Sequence, residues 1–330
     1  MNILRRAFTS AALASIVTVG LSPSVKALDP PQGFPTRPIE LVVVYPAGGG
    51  MDVTARILAR EAERVLGHSF RVQNRTGGGG LVGHSYIANQ AKPDGYTIGI
   101  VANPNISLDF LVREGDFDAS SFETVAGINF TPTLWTVSAN GPLAGKTMGE
   151  VIEMAKEKPG EIRISTIPNN VIDFIITMVE SKTGAEFTRV PFQGGKPGVV
   201  AMMGGNIEIA STYFDESEGQ IRAGEVQPIV VADKVPFKPA PDVPTMSEFG
   251  IDVDSGIWGA SRFAVVPKGT PQEIKDYLSA ALIEVMQDPQ TIEAFAEVGI
   301  AVNATDAAET QAAFDNAVKV LGEVATSQTN

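Results

Sequence analysis

The sequence predicts an α/β fold with mostly parallel sheets, and two observations carry this prediction. Short apolar runs, which are typical of strands, alternate along the chain with longer amphipathic stretches, which are typical of helices. The first run, residues 39–44, is almost entirely apolar, as expected for a strand buried on both faces of a parallel sheet. Because 330 residues exceed one typical hydrophobic core, we also expect two domains.

The predicted elements follow one another in a regular order. Residues 52–66 form the clearest helix, since their apolar side chains fall on one stripe and Gly67 ends the pattern. Further strands are predicted at residues 70–74, 96–101, 134–138, 161–165, 189–192, 207–210, 228–232 and 263–266. Further helices are predicted at residues 81–90, 148–157, 170–182, 197–203, after Pro271 and over about 306–324.

The amino terminus has the pattern of a secretory signal peptide. Arg5 and Arg6 precede an apolar stretch at residues 7–21, which is shorter than the roughly 20 residues that a transmembrane helix needs. A small residue, Ala27, then provides a cleavage site, so residues 1–27 are predicted to be removed on export. The mature protein is expected in a periplasm, and the arginine pair leaves both the Sec and the twin-arginine routes open.

Composition excludes several kinds of chemistry. The chain has no cysteine, so it has no disulfide framework, thiol nucleophile or zinc–thiolate site. Loss of residues 1–27 removes three basic residues and no acidic ones, which takes the formal charge from −13 to −16 and argues against nucleic acid as a partner. His68 and His84 fit neither a metal-ligand nor a catalytic-triad pattern. We expect no metal and no cofactor.

Two glycine-rich loops, residues 45–52 and 74–80, each lie between a predicted strand and a predicted helix. Glycine lets the backbone come close to a ligand, and the following helix contributes unpaired N–H groups and a positive dipole end. Such a loop is an anion site that needs no basic side chain. The candidate ligand-binding residues in these loops and at the next strand end are Tyr45, Ala47, Gly48, Gly49, Gly50, Met51, Asp52, Val53, Asn74, Gly79 and Asn103.

Asp52 has two interpretations. As a helix N-cap it would order the first loop through its side chain. As a ligand contact it would repel an anion, although it would attract an amine. The sequence leaves this choice open.

A series of motifs in one order resembles the Bug-type receptors, the periplasmic substrate-binding proteins of tripartite tricarboxylate transporters. The series begins with YPAGGGMD at residues 45–52 and continues with VQNR at 72–75 and PDGYT at 93–97. It goes on with VPFQGG at residues 190–195, PDVPT at 241–245 and PKGTP at 267–271. The resemblance covers nearly the whole mature chain, and the ordered set is far more specific than any single glycine motif.

The resemblance implies a two-lobed Venus-flytrap fold with the ligand in the cleft between lobes. Lobe one would contain residues 36–132 and 258–330, lobe two residues 133–257, and the hinge would lie near Thr131–Pro132 and residues 256–259. The implied function is capture of a small carboxylate, either a dicarboxylate or an aromatic carboxylate, for the membrane components of a transporter. We expect a monomer without enzymatic turnover.

The resemblance also implies a ligand contact from lobe two, where the family often has a Ser-Gly-x-Gly-Ser turn. This chain departs from that pattern with STIPNN at residues 165–170, in which Pro168 lacks a donor N–H and the two asparagines supply polar groups. We expect hydrogen bonds rather than a salt bridge there. The candidate contacts on this side, with two aromatic residues near strand ends, are Ser165, Thr166, Asn169, Asn170, Phe192 and Trp258.

The alternative is an exported enzyme of Rossmann-like fold that acts on a small anionic substrate. Gly78, Gly80 and Gly83 have the spacing of a dinucleotide fingerprint between a strand and a helix. The acidic residue that would bind the ribose about 20 positions later is missing, and neither loop continues as the Gly-Lys-Ser/Thr of a P-loop. The sequence therefore favours the receptor.

Overall fold

The computed structural model describes residues 29–328 except residues 114, 169, 252 and 254–256, so the predicted signal peptide lies outside the described residues. The described strands are β1 Ile39–Val43, β2 Phe70–Asn74, β3 Thr97–Asn103, β4 Phe122–Ser138, β5 Arg163–Thr166, β6 Thr188–Pro191, β7 Ile209–Tyr213, β8 Val226–Val231 and β9 Gly259–Pro267. The described α-helices are α1 Gly50–Leu66, α2 Leu81–Asn89, α3 Asn105–Leu111, α4 Met148–Glu157, α5 Val171–Thr183, α6 Gly195–Met203, α7 Phe214–Arg222, α8 Gln272–Gln287, α9 Pro289–Ala296 and α10 Ala307–Gln328. None of these helices combines the length and the apolar character that crossing a membrane requires.

The strands join into one curled sheet with the order β2-β1-β3-β9-β4-β7-β5-β6, and β8 pairs with β4. Parallel pairs occupy the two outer parts, β2-β1-β3 and β7-β5-β6. The central strands β9 and β4 run antiparallel to their neighbours. The predicted α/β class is confirmed, and the sheet is more mixed than predicted because these two long strands cross its centre.

Strand β4 connects the two parts of the sheet. It pairs with β9 as far as Pro132 and with β7 from Thr133 onward. The sequence predicts only its end, because Gly127 and Pro132 are unusual inside a strand. The structure accommodates both residues: the register shifts on either side of residue 126, and Pro132 lies where the pairing partner changes.

Each part of the sheet has helices packed on its buried faces. Strand β1 is buried almost throughout, and α1 buries Ala55, Leu58 and Ala62 against it. In the other part, Trp135 of β4 is fully buried and meets Phe187 edge to face, with ring centroids 5.3 Å apart. Large apolar side chains buried in this way contribute roughly 1.5–3 kcal/mol each to the stability of the fold. The loops that follow the strands in both parts of the sheet are therefore attached to a rigid core.

The sequence pattern does not predict α3, α7 or α9. Helix α7 is the informative case, because Asp215, Glu216 and Gly219 interrupt any apolar stripe. Its first turn is stabilised by Glu216, which accepts hydrogen bonds from the Thr212 hydroxyl and, at 3.5 Å, from the Tyr213 N–H. Two acidic residues are thereby placed at the carboxyl end of β7.

Candidate functional site

A cavity of about 660 Å³ lies between the two parts of the sheet, at the carboxyl ends of their parallel strands. Its volume is within the range of small-molecule sites. One side, which we call the glycine wall, consists of residues 45–51 and 76–80. The opposite side is formed by the starts of α5, α6 and α7, and β9 contributes Ala260 and Arg262.

The first glycine loop leads directly into α1. The helix begins at Gly50 with Gly49 as its N-cap, and glycine has no side chain to cap the first N–H groups. Residues 48–51 line the cavity, so these donors and the positive end of the helix dipole lie beside it. An uncapped helix start that faces a cavity has the geometry that anion binding requires.

Asp52 stabilises this loop through hydrogen bonds that its carboxylate accepts. It is the third helical residue rather than the N-cap, because α1 begins earlier than the sequence suggests. Its carboxylate accepts hydrogen bonds from the Gly48 N–H, the Arg56 guanidinium and the Asn74 amide, each at 2.9 Å. Burial opposes ionisation, but these hydrogen bonds outweigh it and hold the pKa of Asp52 below its usual value. Asp52 therefore orders the loop.

Two of the three glycines of the first loop are required, each for a different reason. Gly48 has a φ of +84°, which L side chains rarely adopt. Gly49 has a φ of −81°, and a Cβ there would have ordinary contacts. At Gly50 a Cβ would lie 2.6 Å from both Arg262 Nη2 and Asp215 Oδ2. Gly48 provides a turn, whereas Gly50 allows a close approach of charged groups.

A buried network holds the second glycine loop. Residues 77–80 all have positive φ, and Arg113 Nη1 donates to the carbonyl oxygens of Gly78 and Gly79 at 3.3 and 3.2 Å. Arg113 also pairs with Asp109 at 2.5 Å, and the other oxygen of Asp109 lies 2.5 Å from His84 Nδ1. Asp109 and His84 are fully buried. The network fixes the backbone of the loop beneath the cavity.

An ion pair that the sequence does not predict closes the floor of the cavity. Arg262 Nη2 lies 2.7 Å from Asp215 Oδ2, and the two side chains are 1% and 2% exposed. Thr131 donates to the other oxygen of Asp215, and Arg262 Nη1 donates to Thr54 of α1. The pair joins α1 and β9 to α7. Arg262 is the one charged residue in the sequence of β9, and that is the signal that sequence reasoning missed.

Glu216 lies next to this pair and lines the cavity. Burial, and then the charge of Asp215, raise the pKa of Glu216 to about 7 against the opposing effect of Arg262. We call the cavity residues Lys196, Tyr213, Glu216 and Arg262 the ionisable wall. Within the described part of the chain, no three histidine or acidic side chains are grouped so that they could hold a metal.

Hydrogen bonds cross the cavity from α3, another element that the sequence does not predict. Asn105 Nδ2 donates to the Tyr213 phenol at 3.2 Å, and Asn105 Oδ1 accepts from the Val171 N–H at 3.4 Å. Tyr213 in turn donates to Asn170 Oδ1 at 3.4 Å. Burial raises the pKa of Tyr213 well above its usual value, so its phenol stays a neutral donor. Asn105 thus links the two sides.

The structure brings about half of the predicted site residues together around the cavity. Those that line it are Tyr45, Ala47, Gly48, Gly49, Gly50, Met51, Gly79 and Asn170. Asn169 lies outside the described residues. Asn170 is also the N-cap of α5, since its side chain accepts from the Ile172 N–H at 3.1 Å.

The remaining predicted residues lie outside the lining because their side chains have internal partners. Asn74 donates to the Tyr45 carbonyl and to Asp52, and Asn103 accepts from Ser107. The hydroxyl of Ser165 bonds to the Ser211 backbone, and that of Thr166 donates to Asp173. Those packed into or against hydrophobic core are Val53, Phe192 and Trp258. These residues and Asp52 lie at or near strand ends, as predicted. Their side chains support the residues around the cavity but do not form its surface.

Comparison with known proteins places these features in a family. Residues 54–327 match the profile of the tripartite tricarboxylate transporter family receptors. The chain is 31% identical over 303 residues to the "UPF0065 protein in gbd 5'region" of Cupriavidus necator, covering 90% of this chain and 88% of that protein.

Two solved structures share the fold. The periplasmic binding protein BugD has a TM-score of 0.76 at 25% identity, with 88% of this chain and 97% of BugD covered. A Rhodopseudomonas palustris protein solved with adipate has a TM-score of 0.79 at 25% identity, with 89% and 97% covered. The predicted two-lobed periplasmic-binding-protein fold and the motif resemblance are both confirmed. The chain therefore belongs to the tripartite tricarboxylate transporter receptor family, among its Bug-type receptors.

Proposed function

We propose that this receptor captures a small dicarboxylate or aromatic carboxylate in its cavity and delivers it to the membrane components of a tripartite tricarboxylate transporter. The observation that carries the proposal is the uncapped start of α1 on the cavity surface. One ligand carboxylate accepts from the backbone N–H groups of residues 49–51, since the Gly48 N–H already donates to Asp52. Charge-assisted hydrogen bonds contribute roughly 1.5–3 kcal/mol each, so a few of them suffice for micromolar affinity.

The rest of the lining supports a ligand with an apolar middle. Val44, Met51, Ile167, Pro197 and Val200 all line the cavity together with its polar residues. A second carboxylate lies near Lys196, an exposed residue in the first turn of α6. This differs from the sequence-based expectation of hydrogen bonds alone. The relative solved with adipate, a six-carbon dicarboxylate, supports the same choice of ligand class.

We further propose that the receptor works by closure of two lobes, residues 36–132 with 258–330 and residues 133–257. The change of partner along β4 at Pro132 and Thr133 supports this boundary. Gly256, on the second predicted hinge segment, lies outside the described residues. A ligand favours closure only by its preference for the closed form, so contacts from both walls are needed.

The protein has no turnover in this proposal, works as a monomer and is exported by its signal peptide. The receptor character of its family supports the absence of catalysis. The His84–Asp109 pair resembles the histidine–aspartate pair of a catalytic triad, but both side chains are fully buried beneath the second glycine loop. That position suits a structural role rather than proton transfer to a ligand in the cavity.

A ligand screen tests the proposal. Thermal unfolding would be followed with aliphatic dicarboxylates including adipate, aromatic acids and acidic amino acids, and hits would be measured by calorimetry. We expect at least one carboxylate to stabilise the protein and to remain chemically unchanged after prolonged incubation. Small-angle scattering with that compound should show a smaller radius of gyration. Conversion of the compound, or no stabilisation by any carboxylate, would contradict the receptor role.

A further inference from the structure

Glu216 is an ionisable group on the cavity surface that backbone recognition of a carboxylate does not use. One of its oxygens, Oε2, accepts from the Thr212 hydroxyl at 3.1 Å and from the Tyr213 N–H at 3.5 Å. The start of α6 packs so closely on this oxygen that a Cβ at Gly195 would collide with it. The carboxyl group is therefore held in place on the ionisable wall.

The charges around Glu216 come from each element packed against it. On its own helix, Asp215 is paired with Arg262 of β9 at 2.7 Å. At the end of β7 lies the neutral phenol of Tyr213, and at the start of α6 lies Lys196, on the exposed rim of the cavity. Since Asp215 and Arg262 cancel, ionised Glu216 gives the floor of the cavity a net negative charge.

A second polar group on the floor points to an anionic ligand group. Arg262 lines the cavity, is almost fully buried, and its Nε has no hydrogen-bond partner among the described residues. A carboxylate near this donor would be repelled by an ionised Glu216 and stabilised by a neutral one. Burial and the neighbouring Asp215 raise the pKa of Glu216 to about 7, so the neutral form is populated near neutral pH.

We propose that neutral Glu216 donates a hydrogen bond to a carboxylate group of the bound ligand, so that capture is coupled to proton uptake. This inference rests on the proposed carboxylate-receptor function. No covalent bond to the ligand forms or breaks. Where Glu216 is ionised in the free protein, one proton from solvent joins its carboxylate as the ligand carboxylate binds.

Calorimetry with adipate tests the coupling. Titrations at pH 6 and pH 8, each in two buffers of different ionisation enthalpy, give the affinity and the number of protons taken up. With a pKa of about 7, the neutral fraction of Glu216 falls roughly tenfold from pH 6 to pH 8. We expect adipate to bind roughly tenfold more weakly at pH 8, with uptake approaching one proton.

A pair of matched variants assigns the proton. Glu216→Gln keeps an acceptor for the start of α7 and a donor for the ligand, so its affinity should be independent of pH and its proton uptake should vanish. Glu150→Gln is the control, because Glu150 makes the same capping contact at the start of α4 outside the cavity. The control should behave like the wild type, which would show that loss of a capping carboxylate elsewhere does not remove the pH dependence.

The ligand-free protein gives an independent readout. A folded-state pKa raised from the usual value near 4.5 to about 7 stabilises the fold fully below pH 4.5, and this contribution is lost as pH rises to about 7. Urea unfolding should therefore show a stability difference between wild type and Glu216→Gln that changes between pH 4.5 and 7. A constant difference over this range would overturn the inference.

Three calorimetric outcomes would contradict the proposal in different ways. Binding of adipate with equal affinity at both pH values and no proton uptake would overturn the role of Glu216 and leave the receptor function intact. Proton release on binding of an acidic amino acid would mean that Glu216 faces an ammonium group instead. Failure of adipate and every other screened carboxylate to bind at pH 6 would overturn both proposals.

Discussion

The two walls of the cavity present different chemistry to a ligand. The glycine wall presents backbone N–H groups at the start of α1 and a second loop whose backbone a buried network fixes. The ionisable wall presents side chains whose charge depends on their neighbours, with Glu216 beside the buried Asp215–Arg262 pair. The glycine wall consists of two short continuous segments of the chain. The residues of the ionisable wall come from distant parts of the chain and meet only through packing. The comparison separates what local sequence specifies from what only the fold creates.

The largest expected effect comes from breaking the buried ion pair between Arg262 and Asp215. Arg262→Met would leave Asp215 buried without its partner, which typically costs about 3–5 kcal/mol of stability. Urea unfolding measures this loss. Arg222→Met is the control, since Arg222 pairs with Glu218 on the exposed side of the same helix and should change stability by less than about 1 kcal/mol. Equal effects of the two substitutions would show that the floor pair is not structurally special.

The sequence predicts the glycine wall well because its signals are local. The apolar run of β1, the three glycines and the stripe of α1 are adjacent, so they define a strand, a turn and a helix start together. The α/β class and most helices follow from the same kind of pattern. Met148–Glu157, for example, has the predicted bounds.

The ionisable wall has no comparable signal. Helix α7 is too polar to show a stripe, and Arg262 reaches the cavity only because β9 crosses the centre of the sheet. Ser165 and Thr166 show the converse: they lie at the end of the expected strand, but their hydroxyl groups bond to the Ser211 backbone and to Asp173. Sequence position locates a strand end, while neighbours from other elements decide which side chains reach the cavity.

The glycine wall gives the second prediction, which concerns one Cβ. Gly50→Ala should weaken adipate binding at least tenfold, or about 1.4 kcal/mol, because its Cβ would displace Arg262 and Asp215 from the start of α1. Gly49→Ala should bind like the wild type, since φ at Gly49 is ordinary and its nearest Cβ contact is 3.6 Å. Calorimetry on both folded variants tests the pair, and equal affinities would remove the first loop from the site.

The third prediction concerns the link between the walls. Asn105→Ala removes the hydrogen bonds to Tyr213 and to the Val171 N–H, which are worth about 0.5–1.5 kcal/mol each. We expect adipate affinity to fall about threefold to tenfold and the ligand-induced decrease in radius of gyration to shrink. Asn89→Ala, which loses one exposed bond to the Asp116 carbonyl, is the control. Should both variants close like the wild type, Asn105 would not couple the walls.

The smallest expected effect distinguishes the walls by their response to salt. Lys196 is exposed, so its attraction to a second ligand carboxylate should contribute only about 0.2–1 kcal/mol. Lys196→Gln should therefore weaken adipate binding by up to about fivefold at low salt, and the difference from wild type should disappear near 1 M salt, where the Debye length is about 3 Å. Lys182→Gln, the same change at an exposed position of α5, corrects for the protein's overall charge. Hydrogen bonds from the glycine wall and from Glu216 do not depend on an exposed cation, so the affinity that remains at high salt measures these contacts together. A Lys196→Gln defect that persisted undiminished at high salt would mean that this residue acts by fixing α6 rather than by attracting the ligand.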